Sequence, residues 1–117
     1  MNYTITVTDE QLRLIELGCD LLARVMIGQS GDIARYLPLE KNTPIWDMVK
    51  QIEAVTKPAC GLEQNASFGV GKFEKADTLF DIVETLRYQT GEKTVYNIPF
   101  HWNKKVPLIK VEEVSND

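Results

Sequence analysis

The chain has 117 residues, of which 44% are apolar and 26% charged, and its formal net charge is −4. This length fits one domain over residues 1–117, with room for a modest core. The negative charge argues against binding to a nucleic acid strand, because such binding relies on clustered Lys and Arg. No apolar run approaches the roughly 20 residues that span a membrane, and the N-terminus lacks a signal sequence, so we expect a cytoplasmic protein.

The N-terminal part predicts a strand that leads directly into a helix. Residues 3–7 alternate apolar and polar side chains, which is typical of a half-exposed strand. Thr8 and Gln11 then have the spacing of a capping box, with Thr8 as the N-cap. The first helix is therefore expected over residues 9–27, with Gly28 as its C-cap.

The middle of the chain predicts a second helix followed by a long loop. A short helical turn is expected over residues 30–36. Thr43 then precedes a proline suited to the first helical position, and apolar side chains follow at helical spacing until Pro58 ends the helix. Residues 59–71 contain three glycines, and a loop of this length in a compact domain is more often functional or disordered than idle.

The C-terminal part predicts a third helix and a β-hairpin. The helix is expected over residues 74–89, and the two strands over residues 94–102 and 107–114. Together with the N-terminal strand, this order predicts an α+β fold in which a small antiparallel sheet packs with three main helices. The open edges of such a narrow sheet favour pairing with another copy, so we expect a homo-oligomer.

The sequence carries no recognisable catalytic or metal-binding signature. It has a single histidine and two cysteines without metal spacing, and it lacks phosphate-loop and hydrolase motifs. Asp77, Asp81 and Glu84 lie along one side of the third helix, where they could bind a metal or act as acid and base; a solvated helix face is the favoured interpretation. We therefore expect no catalytic residue, no metal and no cofactor.

Two arginines lie unexpectedly close to apolar side chains. Arg24 falls at the edge of the apolar stripe of the first predicted helix, and Arg87 falls inside the apolar stripe of the third. The stripe on the first helix is formed by Leu14, Leu17, Leu21 and Val25. An unpaired guanidinium there would be costly, so something anionic should meet it, or its stem should lie over the core with the head in water. The anion could be a buried acidic residue or the phosphate of a ligand.

The long loop and the third helix contain residue types suited to a mononucleotide-like ligand. Phe68 could stack on a base, and Asn65 and Ser67 could form hydrogen bonds with it. The third helix adds Arg87 and Tyr88. The alternatives are that Asn65 is a turn residue bonded to its own backbone and that Phe68 fills the core under the loop.

Three segments of the chain resemble a known family. These are residues 24–29 (RVMIGQ), residues 65–70 (NASFGV) and residues 76–88 (ADTLFDIVETLRY). In order and spacing, over about residues 4–102, they resemble the first-described family of Thoeris anti-defence proteins, phage-encoded sponges that sequester cyclic ADP-ribose isomers. The resemblance implies a non-enzymatic protein that binds a glycocyclic ADP-ribose signal tightly and leaves it intact. It also implies a dimer or a hexamer, with cyclic di- or trinucleotides held at a second site in some members.

The resemblance also implies roles for particular residues. Asn65, Phe68 and Arg87 would belong to the ADP-ribose pocket. Arg24, beside the bend that contains Gln29, is a candidate for that pocket or for the second site.

One position departs from what the resemblance implies. Val83 stands where a second phosphate-binding arginine would be expected, one turn before Arg87. Arg35, Lys72 or a neighbouring subunit would have to supply the missing donor.

A different class of function is also open at this stage. The chain could be a small protein-binding module that inhibits a host protein through its acidic surface and exposed aromatics such as Trp102.

Overall fold

The computed structural model describes residues 1–66, 68–91 and 100–114, and the regular structure in this part is helical. The elements are α1 (Asp9–Met26), a 3₁₀ helix (Ser30–Arg35), α2 (Ile45–Ala59) and α3 (Glu74–Thr90). None of these helices combines the length and the hydropathy that crossing a lipid bilayer requires.

The capping box at the start of α1 is confirmed. The Thr8 hydroxyl accepts a hydrogen bond from the Gln11 backbone N–H at 3.1 Å, and the Gln11 side chain accepts one from the Thr8 N–H at 2.9 Å. The helix ends at Met26, one residue before the predicted end, and Ile27 is its cap. Gly28 follows with φ 100°, a left-handed conformation that favours glycine.

The bounds of the other helices are also close to those predicted. α2 begins directly after Pro44 and ends one residue beyond Pro58. α3 ends at Thr90, one residue beyond the predicted end, and its cap Gly91 has a φ of 78°, a left-handed conformation that stops the helix.

The predicted sheet, and with it the α+β fold class, is wrong for the described part of the chain. Residues 3–7 and 107–114 form no strand, and neither do residues 100–102. The rest of the predicted strand 94–102 lies outside the described residues. Alternation decides which side chains share a face, but a strand also needs a second backbone to pair with. Tyr3 and Ile5 are 84% and 73% exposed, and no such pairing exists for them among the described residues.

The helices pack in a series of pairwise contacts. α1 lies along α3, the 3₁₀ helix packs against α1, and α2 packs against the 3₁₀ helix. Buried side chains occur on every side of α3, because α1, the preceding loop and the C-terminal segment all contact it. The apolar core in the described part is small and consists of Ala23, Ile27, Ala34, Ala76, Val83 and Leu86.

The face of α1 that is buried is not the one that the apolar stripe predicts. Leu14 and Val25 from that stripe are 61% and 37% exposed, whereas Glu16 and Asp20 are only 3% and 4% exposed. Two carboxylates can be buried here because arginine side chains pair with them. The prediction of the core-facing side of α1 is therefore wrong.

The acidic side of α3 is also not the solvated face that we predicted. Asp77 and Asp81 are 5% and 4% exposed. Asp77 accepts a hydrogen bond from the Gly71 backbone N–H at 2.8 Å. Asp81 accepts bonds from the backbone N–H groups of Trp102 and Asn103 at 2.6 and 3.0 Å. These carboxylates anchor the loop and the C-terminal segment to α3.

Candidate functional site

Arg24 lies near the C-terminal end of α1, and its partners are side chains that are close to it in the sequence. Its Nε donates to Asp20 Oδ2 at 3.0 Å, and its Nη1 donates to Gln29 Oε1 at 3.2 Å. The same Nη1 is 3.6 Å from Asp32 Oδ2. The second amino group, Nη2, forms no hydrogen bond with the described residues. One side of the guanidinium fork therefore remains available.

Arg87 is more fully occupied by carboxylates. Its Nε donates to Glu16 Oε1 at 2.6 Å, a contact that joins α3 to α1. Its two amino groups lie 3.8 Å from Glu84 Oε1 and 3.9 Å from Asp20 Oδ1. Each nitrogen of Arg87 is therefore within ion-pair distance of a carboxylate of the chain itself.

Asp20 connects the two arginines in one network, which we name the arginine–carboxylate cluster. It consists of Arg24, Arg87, Glu16, Asp20, Asp32 and Glu84. Arg13 on Glu16 and the exposed Arg35 near Asp32 bring the guanidinium groups to four against four carboxylates, so no excess positive charge attracts a further anion deep in the cluster. The sequence left two kinds of anion open for these arginines, a buried acidic residue or the phosphate of a ligand. In the structure each arginine meets a buried acidic residue.

Tyr36 completes the cluster on the side of the 3₁₀ helix. Its hydroxyl donates to Asp20 Oδ2 at 3.4 Å. Burial, together with the Asp20 charge, raises the pKa of the Tyr36 hydroxyl and keeps it protonated as a donor. Burial lowers the pKa of Arg24, but the bond to Asp20 and the nearby carboxylates raise it by more, so the net pKa lies above its ordinary value. Arg24 therefore stays a cation.

Phe68 is brought to the same end of α1 by a backbone hydrogen bond. Its N–H donates to the Ile27 carbonyl at 2.7 Å, three residues after Arg24 and two before Gln29. Phe73 contacts the Phe68 ring edge to face, with centroids 5.7 Å apart. The Lys72 ammonium lies over the same ring at 5.3 Å from its centroid. The half-buried Phe68 thus carries one lysine over its ring, and its backbone is bonded to a residue that is three positions from Arg24 in the chain.

The loop that carries Phe68 is anchored by Lys57, a residue that the sequence did not single out. Lys57 is 6% exposed, and its ammonium donates to the Gln64 carbonyl at 2.8 Å. It also pairs with Glu53 at 3.1 Å. A lysine in the last turn of a helix is a common feature, so nothing in the local pattern indicates this long-range anchor.

The predicted ligand-binding residues of the described part lie in more than one place. Arg24 and Gln29 lie at the C-terminal end of α1, and Phe68 is bonded to the same end through its backbone. Arg87 bonds Glu16, about 16 Å along the helix axis from Ile27, and also lies 3.9 Å from Asp20, which holds Arg24.

The remaining predicted residues lie apart from this group. Tyr88 is 45% exposed on α3. Asn65 is exposed and makes no side-chain hydrogen bond within the described part, and Ser67 lies outside it.

Two open concave surfaces of the described part have no predicted site residue in their lining. A groove of about 410 Å³ lies between α1 and α3, with Leu22, Met26, Leu79 and Val106 among its lining residues. A second one of about 380 Å³ lies at the start of α2. Among the described residues, no group of three or more His, Cys, Asp or Glu could hold a metal ion.

Comparison with protein-family models, curated proteins and solved structures finds no match to this chain. Inference about its function therefore starts from the geometry above and from the sequence resemblance.

Proposed function

We propose that this chain is a cytoplasmic, non-enzymatic protein that sequesters a small cyclic nucleotide signal of the glycocyclic ADP-ribose class and leaves it intact, as phage Thoeris sponges do. The observation that carries the proposal is the hydrogen bond between the Phe68 N–H and the Ile27 carbonyl. This bond holds an aromatic ring and the Lys72 ammonium at the end of α1 that bears Arg24 and Gln29.

The chemistry of these groups suits a nucleotide. A base needs a flat apolar surface, and its phosphates need directed donors. A base stacked on Phe68 would displace the Lys72 ammonium from the ring, and the freed ammonium would then pair with a phosphate. Arg24 Nη2, which forms no hydrogen bond in the described part, would supply a second charged donor. Gln29 holds the guanidinium in place through Nη1.

In this proposal Arg87 supports the site from a distance. It binds Glu16 and approaches Asp20, which in turn holds Arg24 Nε. Its donors are directed at carboxylates of the chain, so a ligand phosphate would have to compete with them.

The test is retention of an intact ligand. The purified chain is incubated separately with glycocyclic ADP-ribose and with a cyclic dinucleotide, freed of unbound material and heat-denatured, and the released compound is analysed by mass spectrometry. Release of unaltered glycocyclic ADP-ribose in stoichiometric amount is the expected result. Release of a cleaved product would indicate an enzyme and not a sponge. If neither compound is released, the proposal is wrong.

A pair of variants tests the site itself. Phe68→Leu keeps apolar bulk but removes the ring, and stacking on an aromatic contributes about 1–3 kcal/mol per base, so we expect binding to weaken about tenfold or more. Trp46→Leu is the matched control, because Trp46 is 73% exposed on α2 and belongs to no part of this site. Equal affinities for the two variants would place the ligand elsewhere.

A protein-binding module is the second candidate, and α2 favours it. Trp46 at the start of this helix is 73% exposed, and tryptophan is among the residues that most often anchor protein–protein interfaces. Trp102, which the sequence suggested for this role, is instead half-buried and stacked on Phe100 with ring centroids 4.7 Å apart.

A further inference from the structure

The groove of about 410 Å³ between α1 and α3 has no role in the proposed nucleotide site. Its walls are mainly apolar and include Leu22 and Met26 from α1, Leu79 from α3 and Val106 from the C-terminal segment. Small-molecule sites in proteins have volumes of about 300–1,000 Å³ and walls that are apolar except for a few polar groups. The groove is therefore large enough for a small ligand with an apolar body.

The third wall of the groove is the turn over residues 103–106, and polar contacts hold it in place. Asn103 is 8% exposed, and its side-chain amide donates to the Thr78 hydroxyl at 2.9 Å and to the Glu74 carbonyl at 3.3 Å. The Asp81 carboxylate accepts a bond from the Asn103 backbone N–H at 3.0 Å. Walls that are fixed before a ligand arrives lower the ordering cost of binding.

The charged side chains at this groove are mostly positive, although the chain as a whole is acidic. Glu74 and Lys75 both line the groove, and the Glu74 carboxylate is paired with the Lys105 ammonium at 2.5 Å. Lys75 is exposed and forms no ion pair with the described residues, and the same holds for Lys104 in the adjacent turn. Two ammonium groups are therefore left without a counter-charge, which favours an anionic group at the mouth of the groove.

We propose that this groove binds one small amphipathic anion, a medium-chain acyl carboxylate. Its chain lies between Leu22, Met26 and Leu79, and its carboxylate pairs with the Lys75 ammonium. Lys75 and Leu79 are four residues apart on α3 and so share one side of the helix, which puts the charged head next to the apolar chain.

The size of the groove favours a small molecule over a partner helix. A helix with its side chains is about 10 Å across, so about 410 Å³ corresponds to roughly one helical turn. A wholly apolar ligand would leave the Lys75 charge unused, and a cationic one would be repelled by it. The inference does not rest on the nucleotide proposal, because the two sites share no residue.

The three methionines of the chain provide a direct test. Met26 lines the groove, whereas Met1 is fully exposed and Met48 lies on α2. The full chain, labelled with ¹³C at the methionine methyl groups, is titrated at pH 7.5 with dodecanoate below the concentration at which micelles form. We expect the Met26 signal, assigned with Met26→Leu, to shift with a dissociation constant of about 0.1–1 mM while the other two stay in place. No shift of Met26, or an equal shift of Met48, would overturn the proposal.

Changes in the probe test the two halves of the ligand separately. Dodecanoate should bind about four- to fifteenfold more tightly than decanoate, because each added methylene contributes about two- to fourfold according to how fully the groove covers it. Dodecyltrimethylammonium has the same chain with a cationic head, and it should bind more weakly than dodecanoate. Equal affinities of the two twelve-carbon probes would show that the groove does not recognise an anionic head.

A pair of charge-reversed variants locates the head. Lys75→Glu should raise the dissociation constant of dodecanoate at least about threefold, because an attraction becomes a repulsion. Lys50→Glu is the matched control, since Lys50 is exposed on α2 and makes the same change in net charge away from the groove. Both lysines are exposed, so the thermal midpoints of the two variants should stay close to that of the unaltered chain. Equal effects on binding would contradict the assignment of Lys75.

Two other occupants of the groove would give different results. A Met26 shift with vesicles of phosphatidylglycerol, but none with dodecanoate, would indicate a membrane surface. A Met26 signal that moves with protein concentration alone would indicate another copy of the chain. Either result would overturn the proposal.

Discussion

The pair between Arg87 and Glu16 offers a direct test of how this fold is held together. We consider Arg87→Met, which keeps an apolar stem of similar length and removes the guanidinium. Glu16 Oε1 then loses its donor at 2.6 Å, while Oε2 keeps the Arg13 contact at 2.6 Å. Glu16 is 3% exposed, so water cannot readily replace the lost partner. The variant therefore leaves a buried carboxylate only half compensated.

The size of the effect follows from this geometry. Removing one partner of a buried ion pair costs about 3–5 kcal/mol. Because Arg13 still neutralises the other oxygen of Glu16, we expect a loss of about 2–3 kcal/mol in the free energy of unfolding. Arg35→Met is the control: Arg35 is 65% exposed and lies 3.9 Å from Asp32, so its loss should cost less than about 1 kcal/mol.

Urea denaturation measures both losses. With a urea slope of about 1–3 kcal/mol per molar, the Arg87→Met midpoint should fall by about 1–2 M with an unchanged slope. Adding Glu16→Gln to Arg87→Met should recover about 1 kcal/mol or more, because Glu16, the most buried carboxylate that Arg87 meets, then carries no uncompensated charge. If Arg87→Met costs no more than Arg35→Met, the arginine–carboxylate cluster does not stabilise the contact between α1 and α3.

Three further outcomes follow from other contacts. Asp81→Asn should cost about 1.5–3 kcal/mol and speed hydrogen exchange in the C-terminal segment, because the amide keeps one acceptor oxygen and places an NH2 donor against the other backbone N–H. Unchanged exchange would contradict the anchor. Gly31→Ala should cost about 1–3 kcal/mol in thermal unfolding, since its Cβ would lie 2.5 Å from a side-chain carbon of α2, whereas Gly69→Ala, with open space around it, should cost less than about 0.5 kcal/mol. Burial raises the pKa of the Cys19 thiol, so at pH 8 it should hold less thiolate and react with a thiol reagent more slowly than the exposed Cys60; equal rates would show that Cys19 is accessible.

The helix ends were predictable because their signals are local. Thr8 and Gln11 are three residues apart and form their two hydrogen bonds with each other, and Gly91 ends α3 through its own backbone angle. Such features need no contact with a distant part of the chain. The link from Arg24 to Gln29, five residues apart, is also local, and it is the part of the candidate site that the sequence places together.

The tertiary structure alone decided which surfaces are buried and which site residues meet. Glu16 and Arg87 are 71 residues apart, and their ion pair allows the polar side of α1 to face α3 while its leucines stay exposed. Phe68 reaches the end of α1 through a bond to Ile27, and Asp81 is buried by a segment that follows it by more than twenty residues. Alternation and helical periodicity describe one element at a time, so they predict its faces but not the partner that covers them. That choice depends on ion pairs and backbone bonds between distant residues, whose free energy is realised only once the helices are packed.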